Sequence, residues 1–125
     1  MKKRWIGRWI VSVSALHTVF GAIVFGADLG QMAQAGFWDS IGADARAGVV
    51  AWFMLSGFFM AALGLAVDAL EGSAHHGNLR VTGIVILLTT IVGIVLMPAS
   101  GFWLLLPPAV ALLWPKKLPL TREAT

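Results

Sequence analysis

Four mostly apolar runs divide the chain, at about 9–27, 47–70, 81–97 and 101–114. A helix rises 1.5 Å per residue, so roughly 20 apolar residues cross a bilayer core. The first three runs meet or nearly meet that length, and the fourth is short. Within the second run Val49, Val50, Phe53, Leu55, Phe58 and Phe59 fall on every side of a helix. A helix apolar all round is either deeply buried or lipid-facing. Four such helices in a chain this short leave no polar shell to bury them. The pattern predicts an all-α polytopic membrane protein, one domain over 1–125, folded as an up-down-up-down bundle of four transmembrane helices.

The connections refine this picture. Residues Asp28 to Arg46 form the longest polar stretch, with Met32, Ala35, Phe37, Trp38 and Ile41 interspersed and glycines at 30, 36 and 42. It reads as a loop holding a short amphipathic piece in the membrane interface. Ala33-Gln34-Ala35 resembles a signal-peptide cleavage site, but the preceding apolar run has anchor length and ends well before it, so an uncleaved first span is expected. EGSAHHGNLR reads as a tight polar turn, and Pro98-Ala99-Ser100-Gly101 as the break between the last two spans. Small residues four apart (Ala22 and Gly26, Gly57 and Ala61, Ala62 and Ala66) predict close helix contacts. Pro107 and Pro108 predict a kink in the fourth span, freeing the carbonyls of Trp103 and Leu104.

Composition sharpens the membrane reading: 58% of the 125 residues are hydrophobic and 12% charged, with a mean hydropathy of +0.84. Soluble domains carry about 25% charged residues. The net charge is +3, yet the basic residues gather at span ends, where lipid headgroups rather than nucleic acid would meet them. Lys2, Lys3, Arg4, Arg8, Arg80, Lys116, Lys117 and Arg122 fall on one side if the spans alternate, and Arg46 alone on the other. The positive-inside rule then puts both termini in the cytoplasm and argues against a chain that inserts in both orientations. Trp5, Trp9, Trp38, Trp103 and Trp114 lie near span ends, as an aromatic belt requires. With neither cysteine nor tyrosine in the chain, thiolate metal sites, disulfides and phenol chemistry are excluded.

The residue with most chemical potential is His17, about halfway along the first span. Ionisable groups at that depth usually face the bundle interior and often mark a site. Ser14, Thr18 and Gly21 share its polar, small stripe, and Ser56, Thr89 and Thr90 reach a similar depth from the second and third spans. Trp52 and Trp103 supply aromatic walls. The candidate ligand-binding residues are therefore Ser14, His17, Trp52, Ser56, Thr89 and Trp103. The alternative is a neutral histidine whose hydrogen bond only fixes helix packing. Asp68 is expected to pair with Arg80 across the short turn, and Arg46 with Asp28, Asp39 or Asp44. His75-His76 is a weak metal motif, since adjacent histidines diverge. The sequence contains no phosphate loop or H-E-x-x-H motif, and no intramembrane carboxylate pair.

Leu16-His17-Thr18-Val19-Phe20-Gly21, Met97-Pro98-Ala99-Ser100-Gly101-Phe102-Trp103 and Trp52-Phe53 resemble an uncharacterised family of small four-helix bacterial membrane proteins, similar in size and layout to the DoxX-like proteins. The resemblance spans nearly the whole chain. It implies a bacterial inner-membrane location and no assigned activity. The favoured expectation is a binding protein rather than an enzyme, holding an apolar or amphipathic ligand, or a membrane partner, around His17. A small dimeric transporter using His17 as proton- or substrate-binding group is a second reading. A membrane enzyme acting on a lipid, sterol or quinone is a third, and an accessory subunit a fourth. No cofactor can be named from these residues.

Overall fold

A computed structural model describes residues 4–73 and 76–114, with the His76 side chain excepted. Among the described residues the fold is all-helical: α1 (Ile6–Val24), α2 (Gly26–Gln34), α3 (Ala45–Glu71), α4 (His76–Leu96), a 3₁₀ segment (Gly101–Leu105) and α5 (Leu106–Leu113). Three helices, α1, α3 and α4, are long and apolar enough to cross a membrane. At 27 residues, α3 extends roughly 40 Å, more than a bilayer core of about 30 Å needs.

Two boundaries differ from the sequence expectation. The first helix starts earlier and breaks at Phe25, and the stretch read as a loop opens with α2. Gly30 had argued against a helix there, but α2 gains Asp28 in its first turn, favourable to the helix dipole. The polypeptide then reverses through residues 35–44, where Phe37 and Asp39 adopt left-handed backbone (φ 59° and 50°) beside Gly36 and Gly42. Asp44 ends the loop by accepting from the Arg46 and Ala47 amides, an N-cap for α3.

The fourth segment differs more. Its 3₁₀ and α portions together reach about 22 Å, short of a full crossing. Pro107 and Pro108 do not kink a continuous helix. They stand in the first turn of α5, where a missing N–H costs little. The two carbonyls expected to be freed are both satisfied. That of Trp103 accepts from the Leu106 amide, and that of Leu104 from the indole Nε1 of Trp9 at 2.8 Å.

Helices α1 and α3 run antiparallel in one register from end to end. Gly7 lies against the backbone of Asp68, and Gly64 against Val11 and the Gly7 carbonyl. Farther along, Gly57 lies against His17 and Thr18, and Gly21 against Phe53 and Met54. These contacts recur every seven residues (Gly7, Ser14, Gly21 on one helix; Gly57, Gly64 on the other), which keeps small residues on one seam. The expected four-residue pairs play little part. Ala22, Gly26, Ala62 and Ala66 are exposed, and of the two glycines Gly57 makes a close approach and Gly26 none.

Charge closes both ends of this pair. Arg4 donates to the Asp68 carbonyl (Nε 3.1 Å, Nη2 2.7 Å) and to its carboxylate Oδ2 at 2.6 Å. Glu71 accepts from the Gly7 and Ile6 amides at 2.8 and 3.3 Å, capping α1 from the end of α3. Both contacts put charge where the helix dipoles favour it. Asp68 thus takes Arg4, with Arg8 at 3.7 Å, and not the expected Arg80. At the other end Arg46 grips both oxygens of Asp28 at 2.7 and 3.0 Å.

The second pair, α4 with the 3₁₀ segment and α5, packs Gly83 against Leu112 and Ala109, and Gly93 against Phe102. The two pairs share one core of Ile6, Ile10, Val67, Leu79, Ile86, Ala109 and Leu112, near the end that holds Arg4 and Asp68.

Candidate functional site

The core-facing side of α1 carries Ile6, Ile10 and Val13, all buried. His17 stands on that side one turn beyond Val13, at the i+4 position. On α3 the corresponding side carries Val67, Met60 and Ser56. Val67 is fully buried and Met60 packs on the core, but Ser56 is exposed and His17 half-buried. The inward faces of the first pair therefore outrun the cover that the second pair gives them, and they end on an imidazole and a hydroxyl.

The ring of His17 is fixed on several sides. It stacks on Phe53, with centroids 4.0 Å apart and planes 15° from parallel. Its Nε2 lies 3.0 Å from the Phe53 carbonyl and 3.1 Å from Ser56 Oγ. A Cβ at position 57 would meet Thr18 Oγ1 at 2.5 Å and the Cδ2 edge of the ring at 3.2 Å, so glycine there leaves room for both side chains. Ser56 itself donates to the Phe53 carbonyl at 2.7 Å. A carbonyl oxygen can only accept, so the proton of a neutral ring belongs on Nε2. Nδ1, on the far side of the ring from Gly57, then presents a lone pair, and no described residue bonds it.

Below the ring, Ser14 is buried and donates to the Gly57 carbonyl at 2.7 Å, while Thr18 donates back to the Ser14 carbonyl. Phe20 and Phe25 approach Phe53 with centroids 6.4 and 5.3 Å away. Phe53 is thus the hub that sequence reasoning missed. Its signal was the spacing Phe53, Ser56, Gly57, which puts a carbonyl, a hydroxyl and a gap on one side of α3.

Of the six predicted residues, the structure joins His17 and Ser56 directly and through the shared Phe53 carbonyl, while Ser14 bonds the adjacent Gly57 carbonyl. Trp52 lies one helical turn from Ser56 on the same strip of α3 and is 68% exposed. Thr89 and Trp103 belong to the second pair and make no bond to the cluster. Thr89 is exposed, whereas its neighbour Thr90 is buried. The Trp103 indole folds back to donate to the Pro98 carbonyl at 2.9 Å. His75 and the His76 side chain lie outside the described residues, among which no group of three metal-ligating side chains gathers.

Three helices apolar enough to cross a membrane and one hydrogen-bonded histidine do not by themselves single out a family. Residues 1–119 match DUF6463, described as a family of unknown function. The chain belongs to DUF6463. The matched stretch takes in every described helix, together with His17 and its partners. No curated protein and no solved structure matches the chain. Membership of DUF6463 agrees with the resemblance to an uncharacterised family, and it assigns no reaction or ligand.

Proposed function

We propose that this protein holds, within the membrane, an amphipathic ligand bearing a hydroxyl group, seated on the open inner face of the α1–α3 pair. One observation carries the reading. The donor of His17 is engaged by Phe53 and Ser56, while its Nδ1 lone pair is turned away from them and bonded by no described residue. In hydrocarbon an unpaired acceptor costs free energy, and an O–H from a ligand recovers it. The apolar body of that ligand would lie against the exposed part of the inner face, with Trp52 beside it and the shared core as floor.

The reading includes a topology. The 3₁₀ segment and α5 would enter the membrane as a short fourth span, with local thinning or tilting of the bilayer taking up the mismatch. The excess of basic residues at one end supports cytoplasmic termini. The similarity in layout to DoxX-like proteins supports the bacterial inner membrane.

The test uses the full chain in nanodiscs with a spin-labelled long-chain alcohol and its methyl ether. Paramagnetic broadening of the His17 side-chain NMR signals should saturate with the alcohol and be weak with the ether. His17→Phe should abolish saturable broadening of the Ser56 signals. Equal broadening by alcohol and ether in the wild type would refute the reading.

A further inference from the structure

A second face of α1 carries a different site. Arg4, Trp5, Arg8, Trp9 and Ser12 line an open groove of about 320 Å³ at the charged end of the bundle. These positions lie about a third of a turn around the helix from Ile6, Ile10 and His17, so the groove is separate from the inner face.

The two cations of the groove are in different states. Arg4 is committed to Asp68 through three hydrogen bonds. Arg8 is 75% exposed, and its one ionic contact is Nε to Asp68 Oδ1 at 3.7 Å, too long for a hydrogen bond. Its fork of five donors is otherwise unused among the described residues. The two indoles divide in the same way. Trp9 Nε1 is spent on the Leu104 carbonyl, which holds its ring in place. Trp5 meets Trp9 edge to face at 6.4 Å, and its own Nε1 bonds no described residue. Ser12 donates to the Arg8 carbonyl, leaving its oxygen as an acceptor one turn deeper.

What leads away from the groove decides the ligand. Continuing from Ser12 along the same side of α1 come Leu16, Val19 and Ile23, 58%, 57% and 77% exposed. A guanidinium held by one long ionic contact, and an indole N–H without a partner among the described residues, thus cap an uncovered apolar track along α1. A soluble anion would use only the cap. A phospholipid uses both, its phosphate on Arg8 and Trp5 and an acyl chain along the track. We infer that this groove is a binding site for an anionic phospholipid, Arg8 being the residue that selects the charged headgroup.

The full-length protein is reconstituted in an equal mixture of phosphatidylcholine and phosphatidylglycerol, extracted gently, and the retained lipids are counted by native mass spectrometry. Phosphatidylglycerol should be enriched about fivefold, the worth of one basic side chain at a membrane surface. Arg8→Gln should bring the ratio close to one, Arg8→Lys should restore part of it, and Arg80→Gln, outside the groove, should leave it unchanged. Thermal melting of each variant separates lost binding from lost fold, and the lysine variant decides should the glutamine variant misfold. Equal retention of both lipids by the wild type, or an unchanged ratio in Arg8→Gln, would overturn the inference. So would displacement of the lipid by millimolar glycerol phosphate, which would show that the groove binds a soluble phosphate. None of these outcomes depends on His17.

Discussion

The two helix pairs, each built on at least one helix long and apolar enough to cross a membrane, are held together by different means. The α1–α3 pair is fastened by polar bonds along most of its length: Glu71 to Gly7, Arg4 to Asp68, Ser14 to Gly57 and His17 to Phe53. Gly7 and Gly64 bring backbone against backbone there, while Gly21 and Gly57 face side chains. In the second pair no hydrogen bond joins α4 to the 3₁₀ segment or α5 among the described residues, and the nearest atoms to its glycines are side chains, Leu112 at Gly83 and Phe102 at Gly93. Hydrogen bonds fix register, because a slip of one residue breaks them all. Apolar contacts tolerate a slip. The first pair is therefore the rigid frame on which a site can be built, and the second is a cover whose position depends on packing and on the Trp9–Leu104 bond.

Glycine substitutions test this contrast most severely. An added methyl favours a helix by up to about 1 kcal/mol at either position. At Gly7 it collides with the backbone and Cβ of Asp68, which cannot turn aside without breaking the Arg4 bonds. Gly7→Ala should therefore destabilise by about 1–3 kcal/mol, the range for overpacking. At Gly93 the obstacle is the Phe102 ring, a side chain that can turn about 30° off its rotamer for about 0.5–1.5 kcal/mol. Gly93→Ala should come out close to neutral. Denaturation in mixed detergent micelles measures both, and similar losses would abolish the distinction between frame and cover.

Hydroxyl deletions should show opposite signs in the two pairs. Ser14→Ala removes a bond across the frame and should cost about 0.6–1 kcal/mol. Thr90 is fully buried and its Oγ1 has no partner among the described residues. Thr90→Val keeps the shape and removes an unsatisfied group, so stability should rise by about 1 kcal/mol. A loss at both positions would mean that Thr90 has a partner after all.

The parts of this architecture visible in the sequence were those governed by local pattern. Long apolar runs located α1, α3 and α4, because span length depends on composition alone. Polar residues at matching depth pointed to Ser14, His17 and Ser56. Asp28 with Arg46 was among the expected pairings, since both ends of one connection lie close. Partners far apart in the chain were hidden. Asp68 was matched to the nearest arginine, Arg80, whereas helix antiparallelism delivers Arg4 from 64 residues away. The seven-residue glycine seam was written in the sequence but overlooked in favour of the commoner four-residue spacing. Pro107 and Pro108 were read as a kink because nothing local shows that the preceding residues wind as a 3₁₀ turn. Thr89 and Thr90 differ by 100° of helix rotation, and only packing shows which is covered.

The smallest effect belongs to the outer end of the frame, where a single ion pair ties α2 to α3. Asp28 stands outside the spanning helices, and the hydrogen bond from Arg46 holds its carboxyl below the ordinary value of 3.8, outweighing the desolvation that would raise it. A carboxyl with a lowered folded value stabilises the fold above its unfolded value, and that contribution fades as pH falls through the folded one. The tie should therefore be intact at neutral pH and weaken below about pH 4. Arg46 is 73% exposed, so screening keeps the contribution modest and added salt should reduce it further. Exchange of the α2 amides, followed by hydrogen–deuterium mass spectrometry, should accelerate on acidification beyond the intrinsic pH trend, while amides near Ser14 and Gly57 keep their protection. Asp28→Asn should remove that extra acceleration and set α2 at its fast limit at every pH. Should α2 and the middle of the frame loosen together, the α1–α3 pair would open as one unit rather than fraying from its outer end, and the comparison would need redrawing around cooperativity instead of bond type.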